Sequence, residues 1–304
     1  MPATVVLLGA FAVACVPAAQ LLAAADWPRR CPVAAIALWQ SLGLSWGLAA
    51  VAALAAFGLS GLTAPGQTEL RRSGPFVVLH LLSLAASVAL LTLLCWILAA
   101  AVAAVLRARH RQRTLLGLLA HDDPKVPGAL VVDYPAAAAY CVPGLRSAIV
   151  ISAGALTLLD TDELAAVLAH ERAHLRARHD LVLLPFTALL RAFRWSATAR
   201  AANAEVALLV EMLADDRARK RRPARELATA LLRVGASGGG LAPAGALAAA
   251  GAALDGELAA RVARLLRPPP GLPVPAVVGI GVLTALILLA PATVFLSPLA
   301  SGRF

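Results

Sequence analysis

Of the six histidines in this 304-residue chain, two stand four residues apart with a glutamate directly after the first: His170-Glu171-Arg172-Ala173-His174. On a helix, positions i and i+4 project from one face, so both imidazoles can reach a single zinc ion. Glu171 lies about 100° further round, close enough to meet a zinc-bound water without ligating the metal. A zinc site needs a third protein ligand and, for catalysis, an open fourth position. His179 stands five residues beyond His174, points to another face and reads as a surface or interfacial histidine. The better source is Glu211-Met-Leu-Ala-Asp215-Asp216, in which Glu211 and Asp215 share a helix face. One of the two can ligate zinc while the other accepts the remaining N–H of a ligating histidine. The competing reading is a solvated acidic face paired with Arg217 and Arg219. It fits poorly with the apolar and small residues Val206–Val210 that lead into Glu211. The four cysteines form no CxxC pair, so neither a zinc knuckle nor a redox pair is indicated.

Something must hold these side chains, and composition says what kind of chain does so. It is 60% hydrophobic and only 14% charged, with a mean hydropathy of +0.79. Soluble domains run nearer half apolar and a quarter charged, and disordered chains are poor in hydrophobic residues. An integral membrane protein remains. Four stretches are long and apolar enough to cross a bilayer, at about 5–25, 33–57, 75–106 and 273–297. The alanines before Asp26 imitate a signal-peptide cleavage site, but no Lys or Arg precedes the apolar run, so a retained helix is expected.

The net charge is +10, and residues 107–270 carry 22 of the 27 basic residues against 15 of the 17 acidic ones, a net +7. Arg107, Arg109, Arg111 and Arg113 directly follow the third span and place that end in the cytoplasm. Arg29 and Arg30 are then inside, the loop with Arg71 and Arg72 outside, and the N-terminus outside. The cluster Arg217, Arg219, Lys220, Arg221, Arg222 and Arg225 suits anionic headgroups, and no direct nucleic-acid partner is expected.

The expected organisation is three spans over 1–106, a water-facing segment over 107–270, and a fourth span with a short tail over 271–304. After a basic linker, apolar runs at 129–133, 137–142 and 149–151, separated by Pro and Gly, predict a three-stranded sheet. A helix follows from Asp160 or Thr161 to about Arg178, capped by its own acids. Further helices are expected at about 181–193, 201–220, 223–234 and 257–266, with a Gly/Ala linker over 235–256. The 181–193 helix is too short to span and is expected to lie against the membrane.

Together these residues resemble a known group. His170-Glu171-x-x-His174 followed by Glu211-x-x-x-Asp215 is similar to the gluzincin signature of integral membrane peptidases. Pro143-Gly144, Ile149–Ser152 and Asp162-Glu163-Leu164 are also similar. The spacing and topology most resemble the BlaR/MecR-type zinc metallopeptidases. That resemblance implies a mainly α protein: four transmembrane helices and a cytoplasmic α+β gluzincin-type zinc peptidase domain inserted between helices three and four. It implies Glu171 as catalytic base, His170, His174 and Glu211 as zinc ligands, and Asp215 as the partner that orients a ligating histidine. It also implies a cytoplasmic protein substrate, a BlaI-type transcriptional repressor. The chain ends at Phe304, just after the fourth span, so no penicillin-binding sensor is expected. HtpX-type quality-control proteases share the motif and give the alternative enzyme reading. A membrane signalling scaffold with a structural zinc site is the non-enzymatic one.

Overall fold

The computed structural model describes residues 2–63, 74–124, 126–144, 147–238 and 251–300. In chain order these form α1 (Pro2–Ala24), a 3-10 turn (Trp27–Arg30), α2 (Pro32–Thr63), α3 (Gly74–Leu119), β1 (Ala120–Asp122), β2 (Leu130–Val132), β3 (Ala139–Val142) and β4 (Ala148–Ser152). Then follow α4 (Ala153–Leu158), α5 (Thr161–Ala177), α6 (His179–Ala192), α7 (Ala197–Ala218), α8 (Ala224–Ala236), α9 (Gly251–Leu266) and α10 (Val274–Ala300). Among the described residues, four helical stretches are long and apolar enough to cross a membrane: Ala3–Ala24, Pro32–Gly61, Gly74–Leu119 and Val274–Ser297.

Three expectations need correction. The third helix does not stop at 106 and no basic linker follows it: α3 runs on through Arg107–Arg113 to Leu119. Arg, Leu and Gln are good helix formers, and no proline or cap interrupts them. The expected linker over 235–256 is helical at both ends, inside α8 and α9, and its 239–250 portion lies outside the described residues, as do Arg71 and Arg72. The sheet has four strands rather than three, since Ala120–Asp122 adds to it.

The chain divides into two compact units. One comprises Met1–Ala100, Ala188–Val206 and Leu272–Phe304. Within it α1 and α10 pack on α2. Four of its polar side chains find backbone acceptors on neighbouring helices, as a low-dielectric surrounding favours. Ser45 Oγ donates to Ile287 O at 2.8 Å, Ser83 Oγ to Leu54 O at 2.8 Å and Ser87 Oγ to Val51 O at 3.0 Å. His80 Nδ1 donates to Phe57 O at 2.9 Å. Large apolar side chains such as Leu82, Trp96 and Leu286 are exposed, which a bilayer would cover.

The other unit comprises Ala101–Thr187 and Ala207–Gly271. Its sheet has the order β1-β2-β4-β3, with β2 and β4 parallel and the other pairs antiparallel. Val131, Ile149 and Ile151 from this sheet form one core with Leu164, Val167 and Leu168 of α5, Leu227 and Leu231 of α8, and Val262 and Leu265 of α9. The motif helix is therefore clamped between sheet and helices.

Its start is fixed by a capping box. The Asp160 side chain accepts from the backbone N–H groups of Asp162 and Glu163, and Glu163 Oε2 accepts from Asp160 N at 3.1 Å. Arg233 Nη1 donates to the same Glu163 oxygen at 2.9 Å. Asp160→Ala is expected to lower unfolding free energy by about 1 kcal/mol, seen as a lower melting midpoint in detergent.

Candidate metal centre

Two helices build the centre. On α5, His170 and His174 occupy successive turns, with Nε2 atoms 3.1 Å apart. On α7, Glu211 faces them, its Oε2 3.4 Å from His170 Nε2 and its Oε1 3.4 Å from His174 Nε2. These three residues form a group able to hold a metal ion. Zinc bonds of about 2.0–2.1 Å in tetrahedral array put ligand atoms roughly 3.3 Å apart, which the triangle reproduces. Asp215, one turn beyond Glu211, puts Oδ1 3.0 Å from His170 Nδ1. That leaves Nε2 of His170 as the nitrogen facing the centre.

Charge makes a second test of the fit. Arg261 on α9 reaches across both acids: its Nε and Nη2 donate to Asp215 at 2.9 Å each, and its Nη1 lies 3.0 Å from Glu211 Oε2. With both histidines neutral, as ligation requires, three carboxylates, Glu171, Glu211 and Asp215, against this one guanidinium leave two negative charges, the complement of a divalent cation. Burial alone would lift Glu211 and Asp215, but Arg261 outweighs it and holds both carboxyls below their ordinary range. Burial likewise opposes a charge on His170, yet Asp215 and Glu211 push that imidazole up to about 10. The centre is built to hold positive charge.

Glu171 supplies the third test. It is 3% exposed, and its Oε1 has no hydrogen-bond partner among the described residues. A buried carboxylate oxygen left unpaired costs free energy unless a ligand meets it. Burial raises its pKa, partly offset by His170 and His174. A carboxyl lifted in this way is a better proton acceptor. The Cys141 thiol on β3 hydrogen-bonds Glu171, and burial pushes that thiol's pKa up. β3 is an outer strand of the sheet, so Cys141 marks where a free strand edge passes the motif helix. Its neighbours Tyr140 and Val142 point the other way, towards Leu116 and Val150.

The structure brings together every residue singled out from the sequence: His170, Glu171, His174, Glu211 and Asp215. It corrects the expectation that His179 points to another face as a surface or interfacial histidine: the residue is buried and turned towards His174. Arg178 closes α5 in the left-handed conformation (φ 52°), reversing the chain so that α6 starts with His179 turned back. His179 is 2% exposed, with Nδ1 3.0 Å from His174 Nδ1, while Arg217 Nη1 donates to its Nε2 at 3.0 Å. Burial first, then the charges of His174 and Arg217, press its pKa down to about 3, so it stays neutral. A non-glycine left-handed cap has no clear sequence signal. Arg261 was also missed. The amphipathic pattern of 257–266 marks a helix that packs on something; that Arg261 meets Asp215 and Arg264 meets Asp216 is seen in the fold alone.

A membrane-spanning helical chain with an HExxH helix and a facing glutamate has the arrangement of a metalloprotease. Peptidase family M48 matches residues 105–214, a stretch that holds the motif helix and Glu211. The match supports a membrane-type zinc metallopeptidase and indicates a metalloprotease in a multi-pass membrane chain. It begins inside α3, so a domain inserted cleanly after the third helix is not supported. No curated protein and no solved structure matches the chain.

Proposed function

We propose that this protein is a zinc endopeptidase embedded in the cell membrane, with its N-terminus outside and its catalytic unit in the cytoplasm. The observation that carries the reading is the pairing of a tetrahedral-edge ligand triangle with the unpartnered Glu171 oxygen beside it. His170, His174 and Glu211 would hold zinc, with Asp215 orienting His170. Zinc bound there supplies a Lewis acid that polarises the scissile carbonyl and acidifies water. Glu171 takes the water's proton at Oε1 and passes it to the leaving amine. The outer edge of β3 offers backbone groups to an extended peptide. Arg261 keeps Glu211 ionised. The basic residues at Arg107–Arg113 support the cytoplasmic side.

Two substrate classes follow. The sequence resemblance favours a single cytoplasmic regulator, a BlaI-type repressor; the family match is equally consistent with HtpX-type turnover of damaged membrane proteins. Full-length protein in detergent is expected to cleave an unfolded protein such as casein. 1,10-phenanthroline should stop this cleavage and zinc restore it; undiminished cleavage after zinc is stripped contradicts the proposal. Comparing proteins cleaved in cells by wild type and Glu171→Gln separates the classes: one regulator, or many membrane proteins.

A further inference from the structure

Beside the metal centre, and not needed by it, lies a cavity of about 520 Å³ between the C-terminal ends of α5 and α7. That volume is within the range of small-ligand sites. Its floor is apolar and close to the backbone, made by Ala169, Ala173 and Ala177 along one face of α5. Its rim is wholly cationic: Arg176 from α5, Arg217 from the last turn of α7, and Lys220 and Arg221 from the turn that follows.

Neighbouring acids do not neutralise this rim. Asp215 is held by Arg261, Asp216 by Arg264 and Arg219, and Asp180 by Arg109. Among the described residues, Arg176, Lys220 and Arg221 take part in no ion pair. Cations do complement helix C-termini, but each terminus amounts to only about half a negative charge. Two termini against four cations leave roughly three positive charges facing one cavity. One carboxylate cannot balance that excess. An acidic peptide would spread its charges along a track, whereas these four cations line a single cavity. Guanidinium forks match phosphate oxygens in geometry as well as charge.

We propose that this cavity binds a phosphomonoester or diphosphate group carrying about two or more negative charges, presented by a lipid headgroup or by a free phosphate compound. The group sits against the alanine floor, with Arg176, Lys220 and Arg221 around it. Arg217 contributes N–H groups beyond the one it gives to His179. The site is independent of the peptidase reading, and its test is binding alone.

The test is isothermal titration of the full-length protein in neutral detergent, in one arm with inorganic pyrophosphate and in the other with short-chain phosphatidic acid. Saturable one-to-one binding in either arm is expected, and the tighter arm identifies the source. The triple variant Arg176→Gln, Lys220→Gln, Arg221→Gln leaves Arg217 in place and is expected to weaken binding roughly a hundredfold. The charge-matched control Arg222→Gln, Arg225→Gln, Arg267→Gln removes exposed cations outside the cavity and should bind like wild type. Circular dichroism of both variants establishes that they fold, and single substitutions at Lys220 and Arg221 replace the triple variant if it does not. Absence of binding in both arms overturns the proposal. So does equal weakening in the control, or tighter binding of a polyglutamate peptide than of either probe.

Discussion

Glu171→Gln is expected to lower kcat/KM for peptide hydrolysis by roughly 10²–10⁴-fold while leaving zinc content unchanged. The geometry gives both halves of this result. His170, His174 and Glu211 form the ligand triangle without Glu171, so replacing it removes no donor. What disappears is a buried carboxylate oxygen that has no hydrogen-bond partner among the described residues. Stability should hold or rise, because a desolvated carboxylate becomes a neutral amide in the same volume. Loss of activity with an unchanged or higher melting midpoint therefore marks a chemical role. A variant that loses zinc as well would mean that Glu171 belongs to the ligand set.

Arg261→Met is expected to have the largest effect on stability, about 3–5 kcal/mol in the zinc-free protein. The guanidinium is 11% exposed and bonds Asp215 through two nitrogens while a third faces Glu211. Methionine keeps much of the packing and leaves the buried Asp215 and the part-buried Glu211 short of a cation. Zinc at the centre would offset part of that deficit, so the melting midpoint should recover more on zinc addition in the variant than in wild type. Arg261→Lys should rescue only partly, since one ammonium cannot span three acceptors in fork geometry. Equal zinc responses in variant and wild type would mean that Arg261 acts on packing and not on the charge of the centre.

Features that depend on local periodicity were legible in the sequence. Spans, motif helix and the Glu211–Asp215 face each declare themselves within twenty or so residues, through apolar length or i, i+4 spacing. The capping box at Asp160 and Glu163 is similarly local. Features that depend on which distant group arrives opposite were not. Arg261 meets Asp215 across 46 positions, and nothing in the 257–266 stretch says which acid it will find. His179 was misread because five residues along an ideal helix points away from His174; Arg178 breaks the helix just before it. β1 is Ala-His-Asp, three residues with no strand propensity, which become a strand only because β2 offers an edge. The continuation of α3 past Arg107 shows the limit of reading a span's end from charge: the apolar run stops where the arginines begin, but the helix does not.

The central claim is that His170, His174 and Glu211 together hold one zinc ion with an open position beside Glu171. Zinc-edge X-ray absorption on the full-length protein, after one equivalent of zinc, tests it directly. The account predicts four nitrogen or oxygen neighbours at about 2.0–2.1 Å, with two imidazoles among them. A sulfur neighbour at about 2.3 Å would bring Cys141 into the ligand set and contradict the account, as would a folded protein that takes up no zinc.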